Sequence, residues 1–247
     1  MKTPRYLVPV LAALALAGCK KQADEGATPA ATNTASAAPV AAPPGGWTEQ
    51  VTKTADGGFL MGNPNAPVKL IEYGSRSCPH CAHFSETGEP LLKSQYIATG
   101  KVSYEFRDFL IHPMDLAAIL VGQCNGPSTF FPILDQMMAT QDQMMAKLQT
   151  LPPTFQNSLT GSPSDQATKW AEALGYIQFV GQRGVPEAKA RQCLADPKAT
   201  DAITQQMNTA QSQFNVNSTP TFIINGSKAD GAYDWATLEP ALKAAGA

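Results

Sequence analysis

Residues 68–84 read VKLIEYGSRSCPHCAHF, and the fold follows from how this stretch divides. Val68 to Gly74 is rich in β-formers and stops at a glycine, as a strand would. From Pro79 the pattern turns helical. Cys81, Phe84, Leu91 and Leu92 fall near one face, and Pro79 suits a first helical turn, where no backbone donor is needed. Two cysteines three residues apart therefore sit where a strand hands over to a helix. Cys78 falls at or just before the first turn, where unpaired N–H groups and the helix dipole favour a thiolate. Cys81 returns one turn later, close enough for a small-ring disulfide. By position Cys78 is the more exposed, which gives it the attacking or accepting role and leaves Cys81 to resolve. His80 can donate a hydrogen bond or, protonated, add positive charge near Cys78. A stabilised thiolate in the reduced form makes the disulfide form the stronger oxidant. His83 reads as a surface or groove residue. His112, with no motif around it, reads as structural.

Outward from this centre, WTEQVTKTADGGFLMGNPNAP (47–67) holds two short alternating runs about Ala55-Asp56-Gly57-Gly58, a hairpin pattern. KVSYEFRDF (101–109) is a further strand by the alternation of Val102, Tyr104 and Phe106. Pro113 to about Phe214 is dominated by helix formers, with prolines at 127, 132, 152, 153, 163, 186 and 197 as breaks, and reads as four or five packed helices. TPTFIING (219–226) is a strand closed by Asn225-Gly226. DWATLEPALKAAGA (234–247) is a last amphipathic helix capped by Asp234. A βαβ unit and a late ββα unit separated by helices describe an α/β fold: a thioredoxin-like mixed sheet, helices on both faces, with an inserted all-helical subdomain at about 113–212. Met137, Met138, Met144 and Met145 form a stripe at a seven-residue repeat, read as core or as an adaptable apolar groove.

The chain opens with Lys2 and Arg5, an apolar run from Tyr6 to Ala17, and Gly18-Cys19. That is a secretory signal (1–18), too short to span a bilayer. Leu16-Ala17-Gly18-Cys19 resembles a bacterial lipobox, which makes Cys19 a lipidation site. Several acyl chains there would hold the protein to a membrane where one would be marginal. Residues 19–46 are anchor and tether: Ala, Thr, Pro, Ser and Gly cannot bury enough surface to offset ordering entropy. The folded domain spans 47–247. Lys20 after the anchor, rather than Asp, resembles the sorting signal of some bacteria for the outer membrane, which implies the outer over the inner membrane. The net charge of −2, more negative once Lys2 and Arg5 leave with the signal, excludes nucleic acid as a partner.

Export allows disulfides to persist. Of five cysteines, four remain after lipidation, a close pair and the distant Cys124 and Cys193. Two disulfides with different roles are suggested, although four cysteines allow three pairings.

GNPNAPVKLIEYGSRSCPHCAHF and STPTFIING resemble the entry strand, active site and cis-proline segment of DsbA-type thiol:disulfide oxidoreductases. The resemblance implies that Cys78, Pro79, His80 and Cys81 form the redox centre and that Thr219 and cis Pro220 face it and present backbone to a substrate strand. It implies a buried acid at Glu72 beneath Cys81, with a raised pKa and a proton to exchange. It also implies a Cys124–Cys193 structural disulfide, closing a loop of about 70 residues at up to about 4 kcal/mol of stabilisation. Arg76 and Ser77 depart from the family, where many members carry aromatic residues. The implied activity is a periplasmic oxidase, tied to the membrane by its lipid, that donates its disulfide to exported proteins with free thiols. A DsbB-like quinone-linked membrane oxidase would renew it; a membrane reductase would instead make it a reductase or isomerase. A monomer without cofactor is expected. An alternative of another class is a copper or zinc module built from Cys78, His80, Cys81 and His83, helped by the methionines. All four ligands would crowd one helix start, where a tetrahedron closes only with distortion.

Overall fold

Alternation along two central strands decides which way each face of the sheet points. The computed structural model describes residues 41–247; the signal, Cys19 and the tether up to residue 40 lie outside the described residues. In β3 (Val68–Gly74), Val68, Leu70 and Glu72 share one face while Ile71 and Tyr73 point to the other. In β4 (Val102–Asp108) all seven residues are buried, with Val102, Tyr104 and Phe106 on the same side as Leu70. The two strands run parallel, with Glu72 opposite Phe106 and Gly74 opposite Asp108. Between them the chain passes through α1 (Pro79–Thr87), α2 (Glu89–Leu92) and a π-helical turn at Lys93–Ile97. That is the expected βαβ crossover.

The hairpin of β1 (Val51–Lys53) and β2 (Phe59–Met61) adds to the outer edge of β4. On the other side β3 pairs antiparallel with β5 (Thr221–Ile224), which turns through Asn225-Gly226 into the short β6 (Ser227–Lys228). The sheet order is β1-β2-β4-β3-β5-β6. The last helix, α11 (Trp235–Ala244), starts in a capping box in which Asp234 Oδ1 accepts from the Thr237 N–H at 2.9 Å.

The helical block holds eight segments, more than the four or five expected: α3 (Asp115–Gly122), α4 (Pro127–Ala139), α5 (Gln141–Thr150), α6 (Phe155–Ser158), α7 (Pro163–Leu174), α8 (Tyr176–Gly181), α9 (Glu187–Leu194) and α10 (Pro197–Phe214). The prolines explain the difference. Pro127, Pro163 and Pro197 open helices, where the missing N–H costs nothing, and Pro132 lies inside α4. Gly175, at φ 77°, splits α7 from α8 without any proline.

Three apolar clusters follow from this layout. Phe59, Leu70, Phe84, Phe106, Phe130 and Phe222 fill the face under α1, α4 and α11. Phe59 stacks on Phe130 with centroids 3.8 Å apart. Tyr73, Ile223, Ala210 and Val216 pack α10 against the opposite face. Ile119, Trp170, Leu174, Val180 and Leu194 form the separate core of the insertion. Met137 and Met138 are core residues, while Met144 and Met145 are only partly buried. Among the described residues no helix is long and apolar enough to cross a membrane.

Candidate active site

The handover from β3 to α1 places the two sulfurs. Gly74 ends the strand where a Cβ would meet the Phe106 ring and come within 3.0 Å of Glu72 Oε1, so only glycine fits. Ser75, Arg76 and Ser77 turn the chain, and Cys78 becomes the N-cap of α1, its Sγ accepting from the Cys81 N–H at 3.4 Å. Pro79 and His80 are exposed beside it. Cys78 is 3% and Cys81 1% exposed. The expected difference in access is therefore small, because Thr219 covers Cys78: its carbonyl lies 3.2 Å from Sγ and accepts from the thiol. The Thr219–Pro220 bond is cis, and the loop between α10 and β5 thus meets the start of α1.

The two thiols differ in acidity. Cys78 is pulled down to about 6, chiefly by the hydrogen bond from Cys81; burial opposes this, and Thr219 and the backbone N–H groups of Cys81 and His80 add to it. Cys81 is pushed well up, first by burial, then by its bond to Cys78 and by the negative charge of Glu72. One sulfur is built to be a thiolate at neutral pH and the other a thiol.

Glu72 lies 1% exposed on the face of β3 below α1, with the Tyr104 hydroxyl donating to Oε2 at 2.7 Å. Burial raises its carboxyl well above the ordinary range; Tyr104 counters, and the charges of Glu89 and Cys78 add to the rise. Cys124, just after α3, and Cys193 in α9 are joined in a disulfide with Cα atoms 5.8 Å apart, far from the dithiol in sequence and within the insertion.

Several neighbours of the site carried no readable signal. Arg76, which stands where the family resemblance implies an aromatic residue, turns inward: Nε donates to Asp108 Oδ1 at 2.8 Å, and Gln123 Nε2 donates to Asp108 Oδ2 at 2.9 Å. The guanidinium lies over Gly122 and the Phe130 ring. Ser77 is buried as well, and its Oγ lies 2.7 Å from His112 Nδ1. His112 is thereby part of the active-site surround, a role beyond the purely structural one expected of it. Behind them Ser75 Oγ donates to Asp115 Oδ2 at 2.9 Å. Gln141, opening α5, donates to the carbonyls of Arg76 at 3.2 Å and Cys78 at 3.0 Å. The one available clue was register: Asp108 ends β4 opposite Gly74, where β3 gives way to the loop.

Among the described residues no three His, Cys, Asp or Glu side chains converge as a metal would require. His80 and His83 point to solvent while the sulfurs are buried. Beside α1 runs a groove of about 510 Å³ lined by Pro79, His83, Lys93, Asp135 and Met138 among others.

Comparison with known proteins agrees with this geometry. A family model described as thioredoxin matches residues 54–244. A provisionally named protein-disulfide oxidoreductase of Rickettsia felis is 29% identical over 174 residues, 70% of this chain and 55% of the relative. The chain spans only 55% to 61% of the length of this and the next such Rickettsia relatives. A crystal structure of a protein-disulfide isomerase from Novosphingobium aromaticivorans superposes with a TM-score of 0.71 at 31% identity, over 75% of this chain and 95% of that one. The DsbA1 protein of Wolbachia pipientis, at 24% identity and a TM-score of 0.58 over 75% of this chain and 88% of its own, shares the fold.

Proposed function

Because the chain belongs to the thioredoxin family, we propose that it is a thiol:disulfide oxidoreductase of the DsbA kind that donates a Cys78–Cys81 disulfide to exported proteins. The observation that carries the reading is the opposed acidity of the two thiols, with Cys78 at about 6 and Cys81 held protonated. A client thiolate attacks Cys78 Sγ. The Cys78–Cys81 bond breaks, its electron pair passes to Cys81 Sγ, and Cys81 takes a proton, for which Glu72 is the adjacent donor. A second client thiolate then attacks the client sulfur of the mixed disulfide and expels Cys78 as a thiolate. The client is oxidised by two electrons and the protein holds the reduced pair. A good leaving thiolate at Cys78 drives this direction, since stabilising the reduced form makes the disulfide more oxidising.

The Thr219 carbonyl beside Cys78 supports docking of a client backbone in extended form. A membrane redox partner, quinone-linked and of the DsbB kind, would accept the electrons. The signal at 1–18, lipidation at Cys19 and tether at 19–46 support a periplasmic site on a lipid anchor, with the outer membrane preferred, and a monomeric domain over 47–247. Cys124–Cys193 then serves structure.

The test is oxidative refolding of a reduced client. The wild type should accelerate it and Cys78→Ser should fall to background; activity retained in Cys78→Ser would sink the proposal. Cys81→Ser should accumulate mixed disulfides whose partners name the clients. One observation favours a second reading, an isomerase kept reduced by a membrane donor: the Novosphingobium neighbour is named an isomerase. Trapping thiols in growing cells separates the two, an oxidised Cys78–Cys81 pair supporting the oxidase and a reduced pair the isomerase.

A further inference from the structure

A second carboxyl lies beneath the active-site helix. Glu89 opens α2 and is 2% exposed. Lys93 Nζ approaches its Oε1 at 2.8 Å, an ion pair by distance whose angle falls outside hydrogen-bonding geometry. The same Nζ donates to Asp135 Oδ2 of α4 at 2.9 Å. Burial and then the Asp135 charge push the Glu89 carboxyl up to about 7, against the pull of Lys93 and Ser85.

Glu89 lines one narrow gap together with Glu72, Cys81, Ser85, Tyr104 and Met138, a gap with no room for a water molecule. Ser85 and Met138 also line the outer groove, together with Lys93 and Asp135. Glu72 and Glu89 thus line one gap with the resolving thiol, and Ser85 and Met138 are shared between that gap and the outer groove. The charged or titratable groups that share this lining or pair with Glu89 are Lys93 just after its own helix, Asp135 on α4, Glu72 and Tyr104 on β3 and β4, and Cys81 on α1. Two carboxylates in one unsolvated space repel strongly, so ionising either raises the proton affinity of the other.

We propose that Glu89 is a positioning residue for the thiol chemistry, acting through Glu72: the two acids hold at most one negative charge between them, and the Lys93–Asp135 contact at the groove decides where it resides. This deepens the oxidoreductase reading and rests on it for its consequence. When Glu72 gives its proton to the Cys81 sulfur as the disulfide breaks, the new charge on Glu72 is accommodated because Glu89, on the solvent side, takes up a proton by way of the groove. Proton uptake at Glu89 thereby accompanies the two-electron reduction of the disulfide, with the client dithiol as reductant.

The experiment is a pH titration of the Glu72 carboxyl by its infrared band in the reduced protein, assigned with Glu72→Gln. Glu89→Gln removes the opposing charge and should raise the acid dissociation constant of Glu72 about tenfold, one pKa unit. Lys93→Met, which strips Glu89 of its cation and leaves it neutral, should shift Glu72 the same way and serves if Glu89→Gln fails to fold. The pH profile for attack of Cys81 on a mixed disulfide at Cys78 should move in Glu89→Gln but stay put when Glu72→Gln is already present. Unchanged Glu72 titration in the folded variants overturns the proposal, as does a profile shift that survives Glu72→Gln. Failure of the wild type to oxidise a dithiol client would count against the oxidoreductase reading alone, because the titration needs no turnover.

Discussion

Arg76 and Asp108 form a two-pronged ion pair, Nε to Oδ1 at 2.8 Å and Nη2 to Oδ2 at 3.2 Å, with both side chains 1% exposed. The pair ties the residue two before Cys78 to the end of β4. Two charges brought out of water are tolerated only while they face each other. Asp108→Ala should therefore cost about 3–5 kcal/mol, seen as a lower urea midpoint. The joint exchange Arg76→Met with Asp108→Leu should be far milder. An Asp108→Ala protein as stable as the wild type would remove the pair from any account of the loop.

The acidity of Cys78 makes the reduced protein sensitive to pH. Its folded value of about 6 lies below the unfolded value of about 8.5. A depressed group stabilises the fold fully above the unfolded value, and that contribution fades as pH falls through about 6. The disulfide form has no such thiolate. The stability of the reduced protein relative to the oxidised one should therefore rise with pH from about 6 to about 8.5, and fall above that, where Cys81 ionises in the unfolded chain but is kept protonated in the fold. Thiolate ultraviolet absorbance should titrate at the same midpoint, and a midpoint above 8 would refute the assignment.

Glu72 should matter more to one sulfur than to the other. Its charge acts on Cys81, whereas hydrogen bonds and burial dominate at Cys78 and the Cys78 charge adds only the last of the rises at Glu72. Glu72→Gln should slow attack by Cys81 on a mixed disulfide by about a hundredfold, a usual size for a lost proton-transfer group. The Cys78 titration should move far less. Equal effects on both thiols would point to a general disturbance of α1 instead.

Removing the Cys124–Cys193 bond by a double alanine exchange should lower stability by up to about 4 kcal/mol, since the bond closes a long loop in the unfolded chain. The disulfide sits in the insertion and its loss should leave the Cys78 midpoint in place. Calorimetry together with thiolate titration tests both halves.

How much of this was legible from sequence depended on distance along the chain. The β3–α1 motif, the hairpin and the Asp234 cap are written in consecutive residues, and each stood where its local pattern put it. The helix count missed because a proline marks a helix start as readily as a break, and Gly175 ends α7 with no proline near. Arg76 with Asp108, Ser77 with His112 and Gln141 with Cys78 meet across separations of 32, 35 and 63 residues. Nothing in a single chain's local pattern announces such partners. Glu89 was hidden for a further reason: in an amphipathic stretch an acid beside Pro90 reads as solvent-facing, and only side chains brought in from α1, α4, β3 and β4 enclose it.

Among the described residues Gln141 supplies the only side-chain donor to the Cys78 carbonyl, which also accepts from the Ala82 N–H of α1. A designer who trimmed the insertion to make a minimal redox module would strip that amide away and leave the catalytic turn unbraced on one side. The helical cap is thus no detachable accessory; any graft, truncation or domain exchange has to carry this glutamine, or a substitute with the same reach, along with it.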